Sequence, residues 1–155
     1  MMLTENHVIE AVANHLATRG WTINQKLTTA ERGIDIIASR AGSGRLLVEA
    51  KGGTSSMRHT KRFGKPFDDG QVKKHVSVAF YYAAKLQGLH PADSIALALP
   101  DDAWHRAAIE AIGAALGKLV ICVYFVAADG GVCEWSGHGL LVGPKRPGDS
   151  DCSRP

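Results

Sequence analysis

The chain has 155 residues, the size of one ordinary domain, and hydrophobic residues make up 45% of it. That apolar content is enough for a buried core and excludes a disordered chain. A net charge of +3 does not by itself establish a nucleic-acid partner. The longest apolar run covers residues 119–128, about half of the roughly 20 residues that span a bilayer, so we expect no membrane association. Three cysteines without metal-ligand spacing favour a reduced, cytoplasmic protein.

The apolar periodicity predicts alternating helices and strands. Thr4 can cap a first helix that Gly20 ends, and Pro100 stops a buried strand. Trp104 and Phe80 fall at core spacing on their helices. The predicted elements are helix 4–19, strand 21–29, strands 34–40 and 45–51, helix 70–88, strand 94–100, helix 101–116 and strand 118–128, with a further hairpin strand at "VCEW".

This order predicts an α/β sandwich with a mixed central sheet. The strands at 34–40 and 45–51 form an antiparallel hairpin around the glycine turn "AGSG", and strand–helix–strand crossovers then add parallel strands. We expect one domain over residues 1–142. Residues 143–155 have nothing to bury, and we expect a disordered tail there.

The hairpin carries charges that a packed sheet would not favour. Glu49 and Lys51 are two residues apart and so face the same side of one strand. If the turn has an odd number of residues, or a bulge, Asp35 comes opposite Glu49 or Lys51, and a three-residue loop that ends with Gly44 at positive φ would do this. The alternative is that these charges only protect an edge strand from aggregation.

Two adjacent carboxylates repel each other unless one takes up a proton or a cation lies between them. Oxygen ligands on a rigid strand suit Mg²⁺ or Mn²⁺. Lys51 beside them could hold a phosphate or orient a water. Asp35, Glu49 and Lys51 therefore supply the parts that metal-assisted hydrolysis of a phosphodiester requires.

The pattern D-(x)13-E-A-K on a hairpin, after an amphipathic helix and before "DGQVKKHVSVAFYYA", resembles the PD-(D/E)XK nucleases. These are the restriction-endonuclease-like enzymes, which include Holliday-junction resolvases. The resemblance covers roughly residues 4–128 and implies an αβββαβ restriction-endonuclease-like fold. It implies that Asp35, Glu49 and the main-chain carbonyl of Ala50 bind Mg²⁺, and that Lys51 positions or activates the attacking water. Ile34 stands where the name of the motif has proline.

The resemblance also implies two further site residues. Many members add a glutamate from the first helix, and Glu5 shares a helical face with Val8 and Val12, whereas Glu10 points elsewhere. We therefore favour Glu5 over Glu10, although a first-turn acid also complements the helix dipole. Gln71 matches a glutamine that often points at the metal centre, or it is an ordinary first-turn polar residue.

A basic segment follows Lys51 directly. Phosphate contacts by Lys and Arg supply most non-specific nucleic-acid affinity, so we expect this segment to bind DNA; the alternative is a solvated charged loop. The predicted nucleic-acid-binding residues are Arg58, Lys61, Arg62, Lys65, Lys73 and Lys74.

The sequence thus predicts a Mg²⁺-dependent nuclease that hydrolyses DNA, in repair, recombination or restriction. One alternative is a catalytically silent nuclease-fold domain that binds nucleic acid or a partner protein. Another is an unrelated α/β module whose hairpin charges protect an edge. We leave a homodimer open.

Overall fold

The structure of the protein, a computed structural model, describes residues 2–54 and 65–136. Three helices and six strands lie within these two ranges. In chain order they are α1 (Glu5–Thr18), β1 (Thr22–Lys26), β2 (Ile36–Arg40), β3 (Gly44–Ala50), α2 (Asp69–Leu89), β4 (Ser94–Pro100), α3 (Ala103–Leu119), β5 (Ile121–Val126) and β6 (Val132–Trp135).

The strands form one mixed sheet in the order β1-β2-β3-β4-β5-β6. Strands β1, β2 and β3 pair antiparallel, β3, β4 and β5 pair parallel, and β6 pairs antiparallel with β5. The two parallel connections run through α2 and α3, because a parallel pair needs a crossover. The predicted α/β class and mixed sheet are confirmed, whereas the finer restriction-endonuclease-like assignment stays a prediction.

The sheet separates two hydrophobic cores. The inner face of α1 buries Val8, Val12 and Leu16 against one side of the sheet. Helices α2 and α3 cover the other side, where Val72 and Ile109 are fully buried. Strands β3, β4 and β5 are therefore covered on both faces, which explains their nearly continuous apolar sequences.

The element boundaries lie within about three residues of the predicted ones, and the start of α3 is the difference that changes a residue's surroundings. Thr4 caps α1, but α3 begins at Ala103, with Asp102 as its N-cap, two residues later than predicted. The expectation of a core position for Trp104 is wrong, since 52% of it is exposed. His105, one residue further along the first turn, takes the buried position instead.

Several predicted features lie outside the described residues. Arg58, Lys61 and Arg62 fall in residues 55–64, and the predicted tail falls in residues 137–155. The domain limits at 1–142 therefore stay a prediction. Among the helices that the structure describes, none is both long and apolar enough to cross a membrane.

Candidate active site

The hairpin turn sets Asp35 against Glu49. Residues 41–43 join β2 to β3, Arg40 pairs with Gly44, and Gly44 has a φ of +75°. The turn has three residues and Gly44 has a positive φ, as predicted, but the turn ends one residue earlier than predicted and Gly44 begins β3. The positive φ explains why glycine stands there. Ile36 pairs with Val48, so the same register extended by one residue brings Asp35 opposite Glu49.

The main chain of β3 fixes the position of the Asp35 carboxylate. The N–H of Ala50 donates a hydrogen bond to Asp35 Oδ2 at 2.7 Å. The methyl group of Ala50 faces the core beneath α1, so the alternating neighbours Glu49 and Lys51 face the α2 side. Asp35, the residue just before β2, is therefore held by a bond that uses only one of its two carboxylate oxygens.

The Lys51 ammonium lies at the centre of the site. It donates to Glu49 Oε1 at 2.7 Å and to the carbonyl oxygen of Ala50 at 2.7 Å. Glu5 Oε2 lies 3.8 Å from the same nitrogen. Only 16% of the Lys51 side chain is exposed, with 11% for Glu49 and 24% for Glu5. These three side chains therefore interact with little screening by water.

Close backbone packing brings Glu5 to this strand. A Cβ atom added to Gly52 would lie 2.4 Å from the main-chain nitrogen of Glu5, so only glycine fits there. The N–H of Gly53 then donates to the carbonyl of Leu3 at 2.9 Å. Glu10, the competing candidate, forms an ion pair with Lys26 of β1 instead.

All three carboxyl groups have a raised pKa. Burial is the largest cause for Glu5, Asp35 and Glu49, and the nearby Lys51 charge partly opposes it. Asp35 also raises the pKa of both glutamates, whereas the Ala50 N–H lowers that of Asp35. Burial lowers the pKa of Lys51, but its acidic neighbours outweigh this, and the pKa is raised overall. Lys51 is therefore a cation at neutral pH, surrounded by carboxylates that repel one another.

The structure places Gln71 in a helix cap. Its Oε1 accepts from the N–H of Asp68 at 3.1 Å, and its own N–H donates to Asp68 Oδ1 at 2.9 Å. This reciprocal capping box occupies the amide oxygen that would face a metal. A role for Gln71 at the metal centre stays a prediction.

His75 is a neighbour of the site that the sequence analysis missed. It is half-buried on α2, and its ring lies 4.5 Å from that of Phe67. Burial lowers its pKa, and the charge of Lys51 is the next largest cause. The available signal was its position four residues after Gln71, which puts both on one helical face.

The lysines predicted to bind DNA differ in their surroundings. Lys65, Lys73 and Lys74 are all exposed, but Lys73 forms an i,i+4 ion pair with Asp69 at 2.8 Å. A lysine that already holds a carboxylate gains less from a phosphate. Of the described lysines, Lys65 and Lys74 are therefore the better candidates for DNA contacts.

The side chains of the site have the charge and the oxygen donors of a divalent-cation site, but not its arrangement. Three carboxylates and one ammonium leave two uncompensated negative charges when all are ionised, and the donors are oxygens, which Mg²⁺ prefers. Among residues 2–54 and 65–136, however, no three His, Cys, Asp or Glu side chains form a ready set of metal ligands. Lys51 engages both Glu49 and the Ala50 carbonyl, so the ammonium would have to move before these atoms could bind a metal.

Comparison with known proteins leaves the family open. No protein-family model matches the chain, and no curated protein matches it significantly. Among solved structures it is similar to the crystal structure of an XisH family protein from Nostoc punctiforme. The identity is 17%, the match covers 85% of this chain and 98% of that chain, and the TM-score is 0.49. Such a similarity establishes neither a family nor an activity for this chain.

Proposed function

We propose that this protein is a Mg²⁺-dependent nuclease that hydrolyses phosphodiester bonds in DNA, of the PD-(D/E)XK type. The observation that carries the proposal is the largely buried Lys51 ammonium, 2.7 Å from Glu49 and 3.8 Å from Glu5. Burial of ions is expensive, and a fold that needed only stability would gain as much from apolar residues. A catalytic use explains why the charges are concentrated here.

Each residue would have a distinct part in the reaction. Asp35, Glu49 and the Ala50 carbonyl would hold Mg²⁺ (or Mn²⁺), with Glu5 as an additional acidic ligand. The bound cation would polarise the phosphoryl oxygen and lower the pKa of a water. Lys51 would orient that water or stabilise the negative charge that develops on the phosphate. Released from Glu49, its ammonium has three donors for these tasks.

DNA is the substrate that the surrounding charge favours. Lys65 and Lys74 are exposed on the segment and helix that follow β3, and Arg58, Lys61 and Arg62 come between β3 and α2 in the sequence. Basic residues so close to Lys51 in the sequence would lower the repulsion that a phosphate chain meets near three carboxylates. Repair, recombination or restriction are the processes that would use this activity.

A catalytically silent nuclease-fold domain is the second candidate. The observation that favours it is that Lys51 satisfies Glu49 and the Ala50 carbonyl without a metal. In that case the protein would bind nucleic acid or a partner protein without cutting it. The two candidates differ in one property, which is turnover in the presence of a divalent cation.

A cleavage assay over several DNA forms tests the proposal. Fluorescently labelled duplex, four-way junction, flap and single-stranded DNA would be incubated with Mg²⁺, Mn²⁺ or EDTA. We expect cleavage of at least one form with either metal and none with EDTA. Glu49→Gln should abolish cleavage, whereas the matched variant Glu10→Gln, which removes an acid paired with Lys26, should retain it. DNA binding without cleavage under every condition would favour the silent domain.

A further inference from the structure

The proposed reaction calls for a proton acceptor beside Lys51. As the oxygen of the attacking water bonds to phosphorus, that water must give up a proton. Lys51 is already a cation at neutral pH, because its acidic neighbours raise its pKa. Asp35 and Glu49 would be engaged as ligands of the cation. None of these three side chains is therefore left to take the proton.

His75 lies on the side of the sheet that carries the candidate active site. Glu49 and Lys51 face α2, and His75 is half-buried within the first two turns of that helix. It stands at the edge of the buried helical face that contains Val72 and Val76. His75 thus lies at the border between the hydrophobic core and solvent.

The chain around Phe67 connects this part of α2 to Lys51. The N–H of Phe67 donates to the carbonyl oxygen of Gly53 at 3.0 Å, and Gly53 is two residues after Lys51. The Phe67 ring lies 4.5 Å from the ring of His75, tilted by 49°. Asp68, the next residue, caps α2. One hydrogen bond and one ring contact therefore link His75 to the residues that follow β3.

The ring nitrogens of His75 are unpaired and accessible. Neither forms a hydrogen bond or an ion pair within the described part of the chain, whereas His90 lies 3.8 Å from Asp93 and His105 lies 2.7 Å from Asp102. Of the buried side-chain nitrogens and oxygens among the described residues, only His105 Nε2 lacks a partner. The nitrogens of His75 are therefore not sealed from water, and a water molecule can reach them.

His75 is neutral at neutral pH. Burial is the largest cause that lowers its pKa. The charged groups that act on it from β3, α3 and α2 are Lys51, His105 and Lys74, and each lowers the pKa further. A neutral imidazole keeps one nitrogen lone pair, which is the property that a general base requires.

We propose that His75 accepts the proton of the attacking water. The inference rests on the proposed function, because it adds one role to that reaction. The water oxygen bonds to phosphorus while a ring nitrogen of His75 takes one of its protons. The P–O bond to the leaving sugar oxygen breaks, and that oxygen keeps the electron pair and takes a proton from solvent. The imidazolium then returns its proton to solvent, which the repulsion from Lys51 favours.

An NMR titration tests whether His75 faces Lys51, without any need for cleavage. The imidazole C–H signals would be followed against pH in EDTA, and the signals missing from His75→Gln would identify His75. We expect a pKa below the ordinary value of about 6.5 in the wild type. Folded Lys51→Met should show a higher pKa for His75, because a nearby positive charge is removed. An unchanged pKa would overturn the inference.

The variant His75→Phe tests whether the ring only packs on Phe67. It keeps an aromatic ring but has no nitrogen. With Mg²⁺ and saturating DNA, kcat should fall about 100- to 10,000-fold, the range for one general base, while KM changes little. DNA affinity measured in EDTA should stay at the wild-type value, which would show that the variant is folded. A wild-type kcat for His75→Phe would reduce His75 to a packing residue and overturn the inference.

The pH dependence of cleavage separates proton transfer from positioning. Only the neutral ring can accept a proton, so kcat of the wild type should rise with pH through the pKa of His75 and level off above it. His75→Gln can still donate and accept hydrogen bonds but cannot take up the proton, and this rise should be absent from its profile. The control His90→Gln removes the histidine that caps the other end of α2, and it should keep the wild-type rate and profile.

These outcomes separate the inference from the proposed function. Cleavage by the wild type that His75→Phe and His75→Gln retain over the whole pH range would reject the role of His75 and leave the nuclease standing. Absence of cleavage by the wild type with either metal would reject the nuclease itself, and the proton transfer with it.

Discussion

The Lys51 ammonium lies 2.7 Å from Glu49 Oε1, just after the end of β3. Both side chains are largely buried, and the ammonium also contacts the Ala50 carbonyl and approaches Glu5. The ion pair thus joins the two residues of the E-x-K motif to each other before any substrate is present. Substrate and metal would have to compete with it.

Lys51→Met should abolish cleavage and lower the free energy of unfolding by about 1–3 kcal/mol, because it leaves largely buried carboxylates without their cation. Glu49→Gln alone should be less destabilising. The double variant should recover part of the loss, which a double-mutant cycle from urea unfolding would report as a coupling energy of about 1–2 kcal/mol. Strict additivity would show that the 2.7 Å contact contributes nothing to stability.

Asp35→Asn should stabilise the metal-free protein at neutral pH. The pKa of Asp35 is raised in the folded state, so the folded state disfavours its charged form. That penalty is absent below the ordinary carboxyl pKa, near 4. It grows as the pH rises from there to the raised pKa of the folded state, and it is fully present above that pKa. Thermal unfolding in EDTA should therefore show a higher melting temperature for the variant at pH 7, and the difference should vanish as the pH falls below 4.

With Mg²⁺ present, the wild type should have a higher melting temperature than Asp35→Asn, the reverse of the order expected in EDTA. A ligand at 100 times its Kd stabilises the folded state by about 2.7 kcal/mol, and only the wild type retains both strand carboxylates to bind it. Melting temperatures measured against Mg²⁺ concentration would show a rise for the wild type and a much smaller one for Asp35→Asn. Equal rises in both would place the cation elsewhere.

Gly52→Ala should disrupt the start of α1. The added Cβ would meet the main-chain nitrogen of Glu5 at 2.4 Å, and backbone atoms cannot rotate away as a side chain can. Overpacking of this kind costs about 1–3 kcal/mol, and the displaced Glu5 should weaken metal binding as well. Gly88→Ala is the control, because the new methyl group on α2 meets nothing within 4 Å, and better helix propensity should raise stability by up to about 1 kcal/mol. Chemical denaturation of both variants would measure this contrast.

Neutralising Lys65 and Lys74 together should flatten the salt dependence of DNA binding. Each lost phosphate contact lowers the log–log slope by about 0.9 for duplex DNA, so the pair should lower it by roughly 1.8. Cleavage at saturating DNA should change little, since these contacts would exist in ground and transition states alike. The control variant is Lys118→Gln, which removes an exposed charge from the last turn of α3. It should leave the slope unchanged. An unaltered slope in the double variant would mean that DNA approaches from another side.

The sequence was sufficient for the order of elements and for the geometry of the hairpin. Val8, Val12 and Leu16 repeat at the period of a helix, and alternation along β3 forces Glu49 and Lys51 onto one side. The glycine turn showed that Asp35 would come opposite them if the number of turn residues was odd, and the three-residue turn meets that condition. These features depend on local backbone geometry, which neighbouring residues determine.

Only the tertiary structure decided which distant groups meet. Glu5 reaches Lys51 because Gly52 lets two backbones approach, while Glu10 is engaged by Lys26 from another strand. Gln71 uses its amide oxygen in a helix cap, and His105, not Trp104, occupies the buried position on the first turn of α3. Periodicity identifies the inner face of a helix, but contacts between residues far apart in sequence depend on how the elements pack, and no short-range pattern encodes that packing.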